Sequence, residues 1–276
     1  MPVVSGPLLS LIFLVGGLAG GLGALLGIGG GVFLVPFLTL FLHVPIQYAI
    51  PISLATMIAT STAVSAGTAG RQLINLRLGM LLEVATAAGG LVGGLSAGFL
   101  SSRALHMLFS IVTMASGLTM LGRLGRRNIS VDPGIDTGRL GGRYYEEESG
   151  GMVTYRVKRL PVALAASFVA GNISTLLGIG GGTVKVPALN AWCGVPLRAA
   201  AATSAFMIGV TATSGAVIYY GRGQIVPELA AAAVLGVRLG SWAGLRIGSR
   251  ATTRWLKLLM AVVLFVVSAL MLVRAE

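Results

Sequence analysis

The chain has 276 residues, 55% of them hydrophobic and only 10% charged, with a mean hydropathy of +0.90. Soluble domains carry about 25% charged residues, so this composition excludes a water-soluble fold and predicts a polytopic, all-α membrane protein. The net charge of +12 would suggest a nucleic-acid binder in a soluble protein, but here the basic residues are spread over loops, as the positive-inside rule demands, and no nucleic-acid partner is expected.

Ten apolar segments follow in chain order. They cover residues 7–26, 31–43, 48–70, 79–100 and 104–121 in the first half, and 160–177, 182–194, 199–220, 227–248 and 255–273 in the second. The first lacks a basic n-region and is one of ten, so it reads as a span and not a signal peptide. The second segment of each half has only 13 residues, roughly 20 Å of helix against a ~30 Å hydrocarbon core. It is expected either as a short shielded helix or as part of a re-entrant pair. Residues 1–121 therefore form a first membrane repeat, 122–159 a linker and 160–276 a second repeat. The linker is rich in turn residues up to Gly142, then alternates around Ser149-Gly150-Gly151, which predicts a β-hairpin. The Glu146–Glu148 run reads as a solvated turn.

The halves align without a gap at an offset of 151 residues. "ALLGIGGGVFLVPFL" (24–38) and "TLLGIGGGTVKVPAL" (175–189) share ten of fifteen positions, and the match continues through Ser53/Ser204, Thr60/Thr211, Gly89/Gly240 and Arg103/Arg254. With an odd number of crossings per half and a cytoplasmic linker, 15 of the 20 Lys and Arg fall on the cytoplasmic side and 3 outside. An odd count makes the two five-segment halves inverted repeats.

Gly29, Gly30 and Gly31, and their partners Gly180, Gly181 and Gly182, interrupt membrane-length sequence. Unwound backbone at membrane depth is tolerated only where protein or a water-filled cavity shields it. Helices restarting after the triplets would present bare N–H groups, and two such restarts from inverted halves would converge near the midplane as an anion site. Helix packing is the competing reading, and it accounts better for Gly16, Gly20, Gly23 and Gly27.

The doubled "GIGGGxxxVPxL" within an apolar duplicated chain resembles the TauE/SafE family of sulfite and organosulfonate permeases. The resemblance covers nearly the whole chain outside the linker. It implies transport of a small sulfur-containing anion (sulfite, a sulfonate, sulfoacetate or thiosulfate) in the bacterial plasma (inner) membrane; the chain is expected as a multi-pass secondary transporter and not an enzyme.

Candidate binding residues follow from charge and hydroxyl placement. Lys185 lies three residues past its triplet and Arg238 mid-segment, with the apolar counterparts Leu34 and Ala87. A charge at membrane depth costs about 2.5–3.5 kcal/mol, which makes each a candidate anion ligand; snorkelling or pairing with an acid is the alternative. Ser53, Thr56 and Thr60 form one helical stripe, with Ser204 as a repeat partner, and Asn172 precedes the second triplet. Back-bonding to i−4 carbonyls would account for the stripe equally well. Arg71 and Arg222 share a repeat position at opposite ends and would gate or attract an anion, or else touch lipid headgroups. Glu83 is expected to pair with Arg77, although it could also carry a coupling proton.

One cysteine, Cys193, and two histidines, His43 and His106, give no disulfide, metal cluster or cofactor site and no grouped nucleophile and base, so no catalytic residue is assigned. No P-loop motif is present for a self-contained pump. The expected partners are a small anion, the bilayer, and a coupling proton or cation; a homo-oligomer is compatible with the plan. Channel, intramembrane enzyme and scaffolding subunit are the rival readings.

Overall fold

The computed structural model describes residues 5–68, 72–122, 136–146, 150–248 and 252–275. In the first half, helices α1 (Gly6–Leu26), α2 (Gly31–Pro36), α3 (Ile46–Gly67), α4 (Leu76–Ser96) and α5 (Ser102–Leu121) follow one another. A two-stranded hairpin, β1 (Gly142–Glu146) and β2 (Gly151–Tyr155), is antiparallel with Tyr144 opposite Val153. Then come α6 (Leu160–Leu177), α7 (Gly182–Ala191), α8 (Leu197–Gly221), α9 (Pro227–Gly248) and α10 (Thr253–Ala275). Among the described residues, eight helices are long and apolar enough to cross a membrane; α2 and α7 are not among them. The all-α, multi-pass architecture and the hairpin agree with the pattern in the sequence.

The short second segments differ in detail from one another. The first continues past Pro36 as a π turn over Phe37–Phe41, whereas the second is α-helical throughout despite Pro187. Each is preceded by a turn in which the chain doubles back. Gly30 lies against Ala19 and Gly20, one turn and more behind the end of α1. The turn needs left-handed backbone at Gly27 (φ 67) and Gly29 (φ 77), and at Gly178 (φ 67) and Gly180 (φ 76), where a side chain would be strained.

The duplication is visible in the backbone itself. Positive φ recurs at His43 and Gly194, and at Gln72 and Gly223, each pair 151 residues apart. Contacts exchange in the same way. Gly20 packs on Val237 and Gly171 on Thr86; Gly27 packs on Ala201 and Gly178 on Ile50. Small residues permit these approaches, and glycine-lined seams join α1 to α9 and α4 to α6.

Helix directions follow from which residues meet. Ser61 bonds the Phe206 carbonyl while Leu54 meets Gly215, so α3 and α8 run antiparallel. Ser110 bonds Ser268 while Gly117 meets Ala261, so α5 and α10 do the same. These two pairs, each related by the 151-residue offset, therefore point in opposite directions, as inverted repeats require.

The hairpin docks on one end of the bundle. Asn75 caps α4 by accepting from Leu78 N–H, and its amide donates to the Leu140 carbonyl and the Tyr155 hydroxyl. Glu146 is buried, accepts from the Tyr144 hydroxyl at 3.3 Å and lies 3.6 Å from Arg198 at the start of α8. Its expected place in a solvated turn is thus corrected: strand alternation turns Glu146 inward, to the Arg198 guanidinium. Glu147, Glu148 and Ser149 lie outside the described residues.

Candidate anion site

The two glycine turns meet each other. Gly31 lies against the Gly178 carbonyl and the Ser53 hydroxyl, and Gly182 against the Gly27 carbonyl and Ile28. Gly180 touches the Ile28 carbonyl. A Cβ at Gly31 or Gly182 would collide with backbone, so close approach, not only turn geometry, demands glycine there. Ser53 donates to the Gly178 carbonyl at 2.6 Å, and Thr183 donates to the Gly180 carbonyl at 3.0 Å. Nothing in the sequence pattern marked Thr183, whose repeat counterpart is Val32.

Lys185 is fully buried one turn into α7, and its backbone N–H bonds the Gly181 carbonyl at 2.8 Å. The side chain folds back over the turn. Its Cε and Nζ lie 3.0 and 3.5 Å from where a Cβ on Gly181 would sit, and the Ala170 carbonyl lies 3.4 Å from the same point. Among the described residues the ammonium has no hydrogen-bond partner. Ser167 and Ser174 flank Ala170 on the same face of α6, and both hydroxyls are buried without a partner.

Glu83 completes the group from α4. One carboxylate oxygen accepts from Thr211 of α8 at 2.8 Å, and the other is enclosed without a partner. Its charge and that of Lys185 attract each other, yet no hydrogen bond or ion pair joins them. Pairing of Glu83 with Arg77 is therefore corrected: Arg77 is exposed, while Glu83 turns inward to Thr211.

The remaining candidates divide. Ser204 is fully buried with an unpartnered hydroxyl. Thr56 donates to the Ser53 carbonyl at 2.7 Å and Thr60 to the Thr56 carbonyl at 3.1 Å, so both are spent within their own helix. Asn172 is half-buried, with its backbone packed on Gly89 and Gly93 in the α4–α6 seam. Arg238 is exposed and donates to Thr62 at 2.8 Å, away from the glycine turns. Arg222 is exposed, donates to the Leu95 carbonyl at 3.1 Å and borders a cavity mouth. Arg71 lies outside the described residues.

Two cavities lie at opposite ends of α3 and α8. One of about 330 Å³ is bordered by Leu26, Thr68, Arg198, Ala201 and Arg246, and Ala201 carries Gly27 on its back. The other, about 160 Å³, is bordered by Gln47, Ile50, Tyr219 and Arg222, and Ile50 carries Gly178. Gln47 and Arg198, Ile50 and Ala201, and Thr68 and Tyr219 are repeat pairs. The cavities are thus the same feature built twice, at the two ends of antiparallel α3 and α8.

Comparison with known proteins follows this geometry. The chain is 27% identical over 195 residues to "Probable membrane transporter protein YunE" of Bacillus subtilis (strain 168), covering 70% of this chain and 69% of that protein. No solved structure matches significantly. The profile described as "Sulfite exporter TauE/SafE" matches residues 12–271, and the chain belongs to that family.

Proposed function

We propose that this membrane transporter carries a small sulfur-containing anion, such as sulfite, a sulfonate, sulfoacetate or thiosulfate, across the plasma membrane by alternating access. The observation that carries the reading is the Lys185 ammonium. It is fully buried and unpartnered, and it lies over the start of α7 beside the joined glycine turns. An uncompensated cation in a membrane interior is costly, and an anion is the ligand that offsets the cost. Helix α7 adds the positive end of its dipole, and Ser167, Ser174 and Ser204 supply idle hydroxyl donors.

The twin cavities support the mode of transport. A carrier of two antiparallel halves needs one access route per side, closed alternately. Here the cavity on the hairpin side is about twice the volume of its counterpart. We read the hairpin side as cytoplasmic from the distribution of Lys and Arg, which makes this conformation open to the cytoplasm.

The test is thermal-shift screening of the purified protein against sulfite, sulfate, thiosulfate, taurine and sulfoacetate, followed by flux into proteoliposomes. A ligand should stabilise the wild type and lose its effect in Lys185→Ala. An undiminished shift in that variant removes Lys185 from the site; no shift and no flux with any anion overturns the transport reading. For orientation, Leu140→Cys in a Cys193→Ser background should label only from the cytoplasm.

A further inference from the structure

The two charges of this site, the half-buried Glu83 and the fully buried Lys185, come from different halves of the chain. Glu83 belongs to the first repeat and Lys185 to the second. Their repeat counterparts are Val234 and Leu34. The duplication therefore builds the same niche twice, once apolar and once with a carboxylate facing an ammonium. Thr60, the counterpart of Thr211, has no carboxylate to serve and bonds its own helix. Each charge replaces an apolar residue at membrane depth, so neither belongs to the shared packing plan.

The charged niche has an unusual state of satisfaction. Among the described residues, Glu83 has one oxygen on Thr211 and one unpartnered, and the Lys185 ammonium is unpartnered. Both charges therefore keep an unused bonding position. Among the described residues, the charged group that acts on Glu83 is Lys185 from α7. Helix α8 gives it the Thr211 hydroxyl, and Arg77 on α4 is exposed.

We infer that Glu83 is the proton-binding site of this transporter, and that Glu83 and Lys185 together admit one monovalent oxyanion with one proton. This rests on the proposed anion transport. Charge arithmetic gives the reason. Empty, the niche holds an ionised carboxylate and an ammonium and is neutral. A monovalent anion alone would make it negative, and beside a carboxylate a like charge favours the protonated form. The proton that enters joins the Glu83 carboxylate as the anion meets Lys185, so the loaded niche is neutral again. Both states that must reorient across the bilayer then carry no net charge, which avoids moving a bare charge through hydrocarbon. A divalent anion with one proton would leave the niche negative, so a sulfonate is preferred over sulfate.

The test uses full-length protein in proteoliposomes with an entrapped pH dye, with methanesulfonate as the monovalent sulfonate probe and the divalent anions sulfoacetate and sulfate beside it. Anion entry should acidify the lumen, at a rate unchanged by an imposed potassium diffusion potential. Affinity should strengthen by up to about tenfold per pH unit as pH falls where Glu83 titrates. Glu83→Gln, neutral like the protonated acid, should bind the anion with no pH dependence and move no proton with it. Should that variant not fold, calorimetry of anion binding to the wild type in two buffers of different ionisation enthalpy must still show uptake of one proton. Binding without proton uptake, or full proton movement in Glu83→Gln, overturns the inference and leaves anion transport standing. Absence of binding by any probe overturns the transport reading and this inference with it.

Discussion

The Ser53 hydroxyl lies 2.6 Å from the carbonyl oxygen of Gly178, 125 residues away, and both groups are buried. This bond ties α3 of the first half to the glycine turn of the second. Its repeat equivalent is not made: Ser204 occupies the matching place with its hydroxyl unpartnered. One serine of the pair bonds a backbone carbonyl of the other half, and the other has no partner among the described residues.

The two serines should therefore respond differently to truncation. Ser53→Ala leaves the Gly178 carbonyl without its donor and should cost about 1–3 kcal/mol of stability, read as a lower unfolding temperature in detergent. Ser204→Ala should leave the unfolding temperature nearly unchanged and weaken anion binding instead. A larger loss of stability in Ser204→Ala than in Ser53→Ala would reverse the assignment.

Close contact of the glycine turns predicts a steric hierarchy. Gly182→Ala forces a methyl group into the Gly27 carbonyl and Gly31→Ala into the Gly178 carbonyl. Overpacking of this kind costs about 1–3 kcal/mol or more, so both variants should lose much of the monodisperse peak in size-exclusion chromatography. Gly221→Ala, with nothing within 4 Å of its new methyl, should behave as wild type.

Arg238 and Lys185 should separate cleanly in binding experiments. Arg238 is exposed and held by Thr62, so Arg238→Gln should change anion affinity by less than about threefold, under ~0.7 kcal/mol. Lys185→Ala should abolish binding. Comparable losses in both would place Arg238 on the anion's route.

Alkaline pH should loosen the hairpin before the membrane core. Burial raises the Tyr144 hydroxyl well above its ordinary value, with Glu146 adding to the effect, and burial raises Tyr155 in the same direction. The folded hairpin holds these protons more tightly than the unfolded segment, whose tyrosines titrate near 10. Their contribution to stability is therefore complete below about pH 10 and falls as pH rises further. Amide exchange across Gly142–Tyr155, corrected for intrinsic rate, should accelerate above that pH. Tyr144→Phe should blunt the acceleration.

Much of the architecture is legible in the residues alone. Apolar runs, their interruption by Gly29–Gly31 and Gly180–Gly182, and the gapless 151-residue offset determine ten segments and a duplication, because hydrocarbon thickness and backbone satisfaction allow few alternatives. Lys185 stands out as well, since any charge in such a run is conspicuous. Partner choice was decided only by the tertiary structure. Glu83 lies between Arg77, six residues back on its own helix, and Lys185, about a hundred residues ahead, and nearness along the chain favours the former. Packing of α4 against α6 and α8 turns Glu83 toward Thr211 and Lys185 and leaves Arg77 outside. For the same reason Arg238, mid-helix in the sequence, lies on an exposed face: segment position fixes depth, whereas the angle around the helix axis is set by which neighbour it packs against.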